Sequence, residues 1–282
     1  MTLILTAVNK NFVSVASDTR LTGTGGTLVD DNAVKCIKLD CSNGSFLIAY
    51  TGLAKYKGVK TDHWLVDVLT SFKAGTKPVE QVVTHLKDTL ETYFASLNLS
   101  AKQKMTTVVV AGWRRKETET SAVVISVSNC ENEQMETLQS ARDEFIINIL
   151  TIKANAKDPC AVLLNGTEPA VSEKYFDGRI KLLIKRLRRA SSFNDMQSIR
   201  SQSVSLIRIG ASHKQWGKYI GKNCITAIMP KSTGAAECEY FPEKDKGQLF
   251  APHLVTSFMA VSDITVGGRD ITDGGFRLGA TK

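Results

Sequence analysis

Histidine and cysteine are sparse in this sequence of 282 residues, which contains four histidines and six cysteines. The cysteines include no Cys-x-x-Cys pair, so the sequence predicts neither a zinc site nor a disulfide-stapled secreted domain. No run approaches the roughly 18 uncharged apolar residues of a membrane-spanning helix. The apolar start after Met1 lacks a basic leader, so no secretory signal is predicted. We therefore expect a soluble cytoplasmic protein with reduced thiols and no metal or organic cofactor.

The overall composition is that of a folded domain, and its charge is basic. Hydrophobic residues make up 43% and charged residues 23%, which suffices for a sizeable core. The formal net charge is +8, and six basic residues lie between Arg179 and Arg189. No aromatic residue interleaves them, and no zinc finger or other nucleic-acid motif surrounds them. A solvated helix face or a subunit contact is favoured over a nucleic-acid-binding module, which stays as a minor alternative.

Apolar residues recur at helical spacing in four segments. The clearest is 78–97, where Pro78 suits a first helical turn and one face is apolar. Less regular patterns cover 59–72 and 176–187, and Ser192 is predicted to cap a fourth helix. The apolar face of the clearest helix consists of Val79, Val82, Val83, Leu86, Leu90, Tyr93, Phe94 and Leu97.

Strand patterns flank these helices. Short runs rich in β-branched, aromatic and other apolar residues lie at 3–8, 12–16, 34–39, 46–50, 106–112, 122–127, 161–164 and 224–229. The order is therefore strands, two helices, strands, two helices and a strand, which indicates an α+β fold. Two helix pairs and two strand groups bury their apolar faces when two sheets stack between two helical layers. We assign residues 1–230 to this domain and residues 231–282 to a C-terminal extension of unassigned role.

Thr2 is a candidate nucleophile because only Met1 precedes it. A threonine hydroxyl needs a base to take its proton, and a free N-terminal residue carries one in its own α-amino group, whose pKa is about 7.7 to 8.0. Threonine is small enough to permit ordinary excision of Met1. If Met1 stays attached, the Thr2 nitrogen is part of a peptide bond and cannot act as the base.

The first twenty residues resemble the start of proteasome β-type subunits, which are threonine peptidases of the N-terminal nucleophile (Ntn) hydrolase class. In that family a terminal threonine and an apolar strand lead to Ala-small-Asp-Thr/Ser-Arg, and residues 16–20 match this pattern. The family's aspartate stands sixteen positions after its nucleophile, as Asp18 does after Thr2. Its catalytic lysine lies in a strand similar to 34–39, which nominates Lys35. The resemblance implies a divergent homologue with a four-layer αββα sandwich of two mainly antiparallel sheets between helical layers.

Each matched residue has a physical task in the implied mechanism. Lys35 lowers the proton affinity of the Thr2 hydroxyl by placing positive charge beside the developing alkoxide, and Asp18 orients that ammonium and keeps it charged. The alternative is that Asp18 and Lys35 form only a structural ion pair. The agreement of spacing and strand context favours the catalytic interpretation.

Further site residues follow from the same resemblance. Gly52 matches the glycine whose backbone N–H helps to stabilise the oxyanion of the acyl intermediate, although a glycine needed only for the turn is the alternative. The implied primary specificity pocket is mostly apolar and favours cleavage after hydrophobic residues. This pocket comprises Leu21, Ala33, Ile37, Tyr50 and Ala54.

The sequence departs from the family pattern in its second half. The family's Gly-Ser-Gly-Ser turn is represented only by residues 165–167, where Asn165 or Thr167 takes the place of the supporting serine. The Asp-x-x-Ser-Gly element that supports the terminal amine has its nearest counterpart at 217–221, which lacks both the aspartate and the serine. Proton transfer at the amine is therefore the step that the sequence supports least.

These observations predict a threonine peptidase that hydrolyses peptide bonds through an acyl-enzyme. The implied partners are a peptide or unfolded protein substrate and further copies of the chain, in a homo-oligomeric ring or related proteasome-like assembly, with no membrane involved. Two alternatives stay open. One is a catalytically inactive proteasome-like scaffold subunit, which the missing Asp-x-x-Ser-Gly element suggests, and the other is an Ntn amidase that acts on a small amide.

Overall fold

The computed structural model describes residues 2–23, 26–117, 119–153, 159–166, 174–214, 217–243, 248–250, 253–256, 260–261, 265–267 and 276–278. Within these residues it contains five α-helices and a short 3₁₀ helix at Ala74–Thr76. The α-helices are α1 (Thr61–Ser71), α2 (Val79–Ala95), α3 (Ala101–Lys104), α4 (Lys174–Leu187) and α5 (Phe193–Ala211). None of these described helices combines the length and apolar character needed to cross a membrane.

Nineteen strands lie in the same described part of the chain. They are β1 (Leu3–Asn9), β2 (Phe12–Asp18), β3 (Leu21–Thr22), β4 (Leu28–Asp30), β5 (Cys36–Cys41), β6 (Gly44–Thr51), β7 (Lys55–Tyr56), β8 (Val59–Lys60), β9 (Thr107–Arg115), β10 (Thr120–Ser128), β11 (Ile146–Ile152), β12 (Cys160–Gly166), β13 (Cys224–Pro230), β14 (Ala236–Phe241), β15 (Gln248–Phe250), β16 (His253–Val255), β17 (Ala260–Val261), β18 (Thr265–Gly267) and β19 (Phe276–Leu278).

Two large sheets contain most of these strands, and the fold is a mixed α/β fold. The first sheet has the order β12-β1-β2-β13-β14-β19, and the second has the order β11-β10-β9-β6-β5-β16-β17. The pairs in the first sheet are antiparallel. The second sheet is antiparallel as well, except that β16 runs parallel to β5.

Apolar clusters hold the sheets and helices together, and β1 shows how they are arranged. Because successive side chains of a strand point to opposite faces, β1 contributes to two clusters. Ile4 and Val8 pack with residues of the second sheet, such as Val109, in a cluster between the two sheets. Leu5 and Ala7 pack with residues of α4 and α5 on the outer face of the first sheet. A further cluster joins α1 and α2 to the outer face of the second sheet.

Local sequence signals mark where two of the helices begin. The predicted helix at 78–97 is confirmed as α2, which follows Pro78 and buries one apolar face against the second sheet. The predicted cap at Ser192 is confirmed at the start of α5. Its hydroxyl accepts a hydrogen bond from the Asp195 backbone N–H, and the Asp195 carboxylate accepts one from the Ser192 N–H. This reciprocal capping box satisfies backbone donors that a helix start leaves open.

Two stretches without a clear sequence pattern contain strands. The stretch at 130–159 includes β11, which pairs with β10 and whose residues have mixed burial. Beyond residue 230, β14 pairs with β13, and β16 pairs with β5, so the C-terminal segment contributes to both sheets. The boundary between a domain at 1–230 and an extension at 231–282 stays a prediction.

The substitution Leu86→Ala in α2 is expected to lower the free energy of unfolding by about 2–5 kcal/mol, because Leu86 is fully buried and the change leaves a cavity. Leu182→Ala in α4 is the matched control, because Leu182 is 47% exposed and its truncation should cost less than about 1 kcal/mol. Urea unfolding followed by circular dichroism measures both values. Equal losses in the two variants would contradict the burial described above.

Candidate active site

Thr2 lies directly before β1, and both sheets fix its backbone. It is 3% exposed. Its carbonyl oxygen accepts a hydrogen bond of 3.2 Å from the Thr51 hydroxyl at the end of β6. From the first sheet, Gly166 of β12 pairs with Leu3 and has a φ of +119°. A Cβ on Gly166 would lie 1.7 Å from the Thr2 carbonyl oxygen, so only glycine fits at this close approach.

Lys35 brings a positive charge to the Thr2 hydroxyl. Its Nζ donates hydrogen bonds to Thr2 Oγ1 at 2.5 Å, to Asp18 Oδ2 at 3.2 Å and to the backbone oxygen of Arg20 at 2.5 Å. An ammonium has three N–H donors, and all three have acceptors here. The Lys35 side chain is fully buried, so its charge acts on the hydroxyl in surroundings of low dielectric.

Asp18 is a fully buried carboxylate at the end of β2, and both of its oxygens accept hydrogen bonds. Its Oδ1 accepts from the Leu3 backbone N–H at 2.9 Å. Its Oδ2 accepts from the backbone N–H groups of Arg20 at 3.0 Å and Gly221 at 3.1 Å, in addition to Lys35. Three backbone donors and one ammonium compensate a negative charge that burial would otherwise penalise.

Burial lowers the pKa of Lys35 below its ordinary value, and the Asp18 carboxylate opposes this decrease through its charge and its hydrogen bond. The Asp31 carboxylate opposes the decrease further, whereas the Arg20 guanidinium adds to it. A lysine with a lowered pKa exchanges its proton closer to neutral pH than an exposed lysine does. The arrangement can therefore hold a positive charge at the Thr2 hydroxyl or exchange a proton with it.

Gly52 follows β6 in a conformation that favours glycine. Its φ is +108°, and a Cβ there would lie 2.1 Å from the carbonyl oxygen of Met105. This close approach to Met105 is a sufficient reason for a glycine at position 52, with or without a catalytic role. The preceding Thr51 contacts the carbonyl of Thr2, so the end of β6 lies at the candidate site. The oxyanion role of Gly52 stays a prediction.

The residues predicted to form the specificity pocket are largely enclosed. Four of them, namely Leu21, Ala33, Ile37 and Tyr50, are 3% exposed or less, and Ala54 is half-buried. Ile37 and Tyr50 belong to the cluster that α1 and α2 cover, rather than to the cluster between the sheets. Their role in substrate selection stays a prediction.

Asn165 belongs to a buried polar network that the sequence did not indicate. Its Nδ2 donates to Glu131 Oε1 at 2.8 Å, while its Oδ1 is buried and accepts no hydrogen bond from the described residues. Glu131 also accepts hydrogen bonds from the hydroxyls of Ser126 at 2.8 Å and Thr107 at 3.3 Å. Thr167, the alternative supporting residue, lies outside the described residues. Glu131 was missed because it follows β10 in a stretch without regular periodicity.

The segment at 217–221 reaches the site through its backbone. It lacks the aspartate and the serine of the Asp-x-x-Ser-Gly element, but the Gly221 N–H donates to Asp18. Two residues later, the carbonyl oxygen of Asn223 accepts a hydrogen bond of 3.1 Å from the Thr19 N–H. Every residue has these backbone groups whatever its side chain. The contacts of Gly221 and Asn223 could therefore not be predicted from residue types.

No protein-family model and no curated protein sequence matches this chain. Similar solved structures include the Anbu (Gly-1) mutant from Hyphomicrobium sp. strain MC1 and Anbu from Yersinia bercovieri, which is described as an ancestral beta-subunit. The first is 11% identical over 87% of this chain and 89% of that chain, with a TM-score of 0.51. The second is 12% identical over the same shares, with a TM-score of 0.54. At these identities the likeness shows the fold alone.

These similarities correct the predicted family. The opening segment predicted a divergent homologue of the proteasome β-type threonine peptidases, and this prediction is wrong, because the similar solved structures are Anbu proteins. The match of Thr2, Asp18 and Lys35 to that family's motif therefore assigns no family. The chemistry of the site has to follow from the contacts that these three side chains make.

A lysine whose pKa is lower in the folded than in the unfolded chain makes the free energy of unfolding rise with pH between the two pKa values, because the unfolded chain binds more protons there. For Lys35 this range ends at the ordinary value of 10.5. Lys35→Met removes the contribution. The stability of the wild type relative to this variant is therefore expected to increase as the pH rises towards that value. Urea titrations from neutral pH upward measure the difference, and a difference that does not change with pH would contradict the lowered pKa.

Proposed function

We propose that this chain is a threonine peptidase in which Thr2, its amine freed by removal of Met1, attacks a peptide carbonyl. The observation that carries the proposal is the 2.5 Å hydrogen bond from Lys35 Nζ to Thr2 Oγ1, made by an ammonium that also pairs with the buried Asp18. A purely structural ion pair also needs a third acceptor for the ammonium, but that acceptor need not be the hydroxyl of the second residue. A hydroxyl held against a buried ammonium has the arrangement of an activated nucleophile.

In the proposed reaction, the Thr2 oxygen bonds to the carbonyl carbon while its proton passes to the Thr2 amine. The Lys35 ammonium stabilises the developing alkoxide, Asp18 holds that ammonium in place, and the Gly52 N–H stabilises the oxyanion. The tetrahedral intermediate then collapses, the peptide C–N bond breaks, and the departing amine takes the proton. Water hydrolyses the resulting ester on Thr2 and restores the hydroxyl.

The proposal includes a four-layer αββα sandwich of the Ntn class within residues 1–230. It is supported by the order of the apolar clusters, in which α1 and α2 cover one sheet, α4 and α5 cover the other, and apolar side chains fill the space between the sheets. The description of one similar structure as an ancestral beta-subunit supports an assembly of several copies, such as a proteasome-like ring.

The proposed substrate is a peptide or an unfolded protein, cleaved after a hydrophobic residue. The apolar character of Leu21 and Ala33, two of the residues assigned to the pocket, supports this preference. A series of peptides that differ only in the residue before the cleaved bond measures it. Hydrolysis of small amides but not of these peptides would indicate an Ntn amidase instead.

A catalytically inactive scaffold subunit is the second candidate function. It is favoured by the segment at 217–221, which contributes a backbone donor to Asp18 but contains neither an aspartate nor a serine. The state of the Thr2 nitrogen separates the two candidates, because only a free amine can act as the base. Intact-mass analysis of the purified protein decides between them, and retention of Met1 would favour the scaffold.

Thr2→Ala is expected to reduce kcat for peptide hydrolysis by at least about 10³-fold, because the oxygen that forms the acyl ester is lost. Thr6→Val is the matched control, since Thr6 is a buried threonine of β1 whose hydroxyl makes no hydrogen bond to the described residues. This control should retain wild-type kcat and wild-type labelling by an electrophile that reacts with threonine. Unchanged turnover in Thr2→Ala would eliminate the proposed nucleophile.

Lys35→Ala is expected to lower kcat by about 10²–10⁴-fold with a smaller change in KM, because the ammonium acts on the developing alkoxide rather than on the bound substrate. The substitution also leaves Asp18 without its ammonium, so circular dichroism and thermal unfolding have to accompany the assay. A folded variant that keeps the wild-type kcat would show that the buried pair is structural only.

A further inference from the structure

Three side chains of types that bind metals come together outside the group formed by Thr2, Asp18 and Lys35. Asp62 and His63 lie in the first turn of α1, and His253 lies in β16. One ligand atom from each residue lies within 4.8 Å of the others. The fold creates this group, since Asp62 and His253 are 191 positions apart in the sequence.

One pair of atoms in the group has the separation expected in a tetrahedral zinc site, and the third ligand atom lies within 4.8 Å of both. Bonds of about 2.0–2.2 Å to nitrogen and oxygen ligands place two tetrahedral ligand atoms about 3.3 Å apart. His253 Nε2 and Asp62 Oδ2 already have this separation, at 3.3 Å. The rings of His63 and His253 meet edge to face, with centroids 5.6 Å apart. His63 is half-buried, and its ligand atom lies within 4.8 Å of the ligand atoms of the other two residues.

The hydrogen bond between Asp62 and His253 does not account for the whole group. The Asp62 side chain is 5% exposed, and its second oxygen, Oδ1, is buried and has no hydrogen bond of ordinary geometry from the described residues, although the His63 backbone N–H helps to lower the pKa of the carboxyl. A buried carboxylate oxygen without a partner is costly, because it has lost its hydration. A cation held between the carboxylate and the two imidazoles offsets the negative charge that both carboxylate oxygens share, Oδ1 included. A simple Asp–His pair leaves Oδ1 uncompensated.

We propose that Asp62, His63 and His253 bind one zinc ion, with water as the fourth ligand. Two imidazole nitrogens and one carboxylate oxygen form a ligand set that zinc takes in proteins, whereas magnesium and calcium prefer oxygen ligands alone. Of the three ligands, only His63 is half-buried, whereas Asp62 and His253 are buried. The sequence did not predict the site, because two ligands are adjacent and the third is far along the chain.

The proposed ion joins the C-terminal segment to the sheet next to the candidate active site. In the parallel pair of β16 and β5, His253 lies opposite Ile37. Ile37 follows Lys35 by two residues. Asp62 lies in the helix that covers the outer face of the same sheet. The ion is therefore structural: it fixes β16 against α1 and β5 and takes no part in the chemistry at Thr2.

Metal titration of the full chain tests the proposal. The protein is stripped with a chelator, checked by elemental analysis and titrated with zinc by calorimetry, and with cobalt as a visible probe. We expect about one zinc ion per chain and a zinc-dependent rise in Tm. The cobalt form should show d–d absorption without the charge-transfer band of thiolate ligands, because none of the six cysteines takes part.

The variants Asp62→Asn and His63→Gln should each weaken zinc binding at least about tenfold and abolish the rise in Tm. The other two histidines supply matched controls, so His85→Gln and His213→Gln should bind zinc as the wild type does. Thr2→Ala should also bind zinc normally, which keeps this test separate from that of the proposed peptidase. Absence of zinc binding to the stripped wild type would overturn the proposal. Unchanged affinity in folded Asp62→Asn and His63→Gln, or a thiolate band, would do the same.

Discussion

The buried ion pair between Lys35 and Asp18 is the constraint on which the rest of the site depends. Two charges without solvent exposure are tolerated only when their hydrogen-bond donors and acceptors are satisfied. Here the hydrogen-bond partners of each charged group come from different parts of the chain. Asp18 takes three backbone N–H groups, and Lys35 takes a backbone carbonyl and the hydroxyl of Thr2. That hydroxyl therefore stabilises the buried ammonium, and in the proposed function the same contact activates the hydroxyl.

Local sequence patterns predicted the elements that bury a single face. The helix α2 is such an element, because its apolar residues recur at a spacing that only one secondary structure satisfies. The strand β11 could not be predicted in this way, since its residues have mixed burial and show no alternation. The C-terminal strands β16 and β17 have three and two residues, too few for any periodicity. These two strands extend the second sheet beyond β5, so their positions depend on strands that are distant in the sequence.

The resemblance of the opening segment to a known family nominated Thr2, Asp18 and Lys35, which the structure brings into contact, although that family was wrong. A motif of a few residues at the start of a chain describes a strand hairpin and its end, and this local pattern does not identify a family. The contributions of Gly221 and Glu131 could not be predicted. The first acts through its backbone, and the second depends on how two distant strands meet.

The hydrogen bond from Gly221 to Asp18 also has a consequence for the order in which the protein matures during synthesis. The carboxylate of Asp18 gains the backbone donor of Gly221 only after about two hundred further residues have been translated, because the two residues are 203 positions apart. The pairing of β1 with β12 adds a similar delay for the strand next to Thr2. Contacts of such long range form late in folding. A growing chain therefore carries Thr2 without its complete set of neighbours, and under the proposed function no active centre exists until residue 221 has been translated.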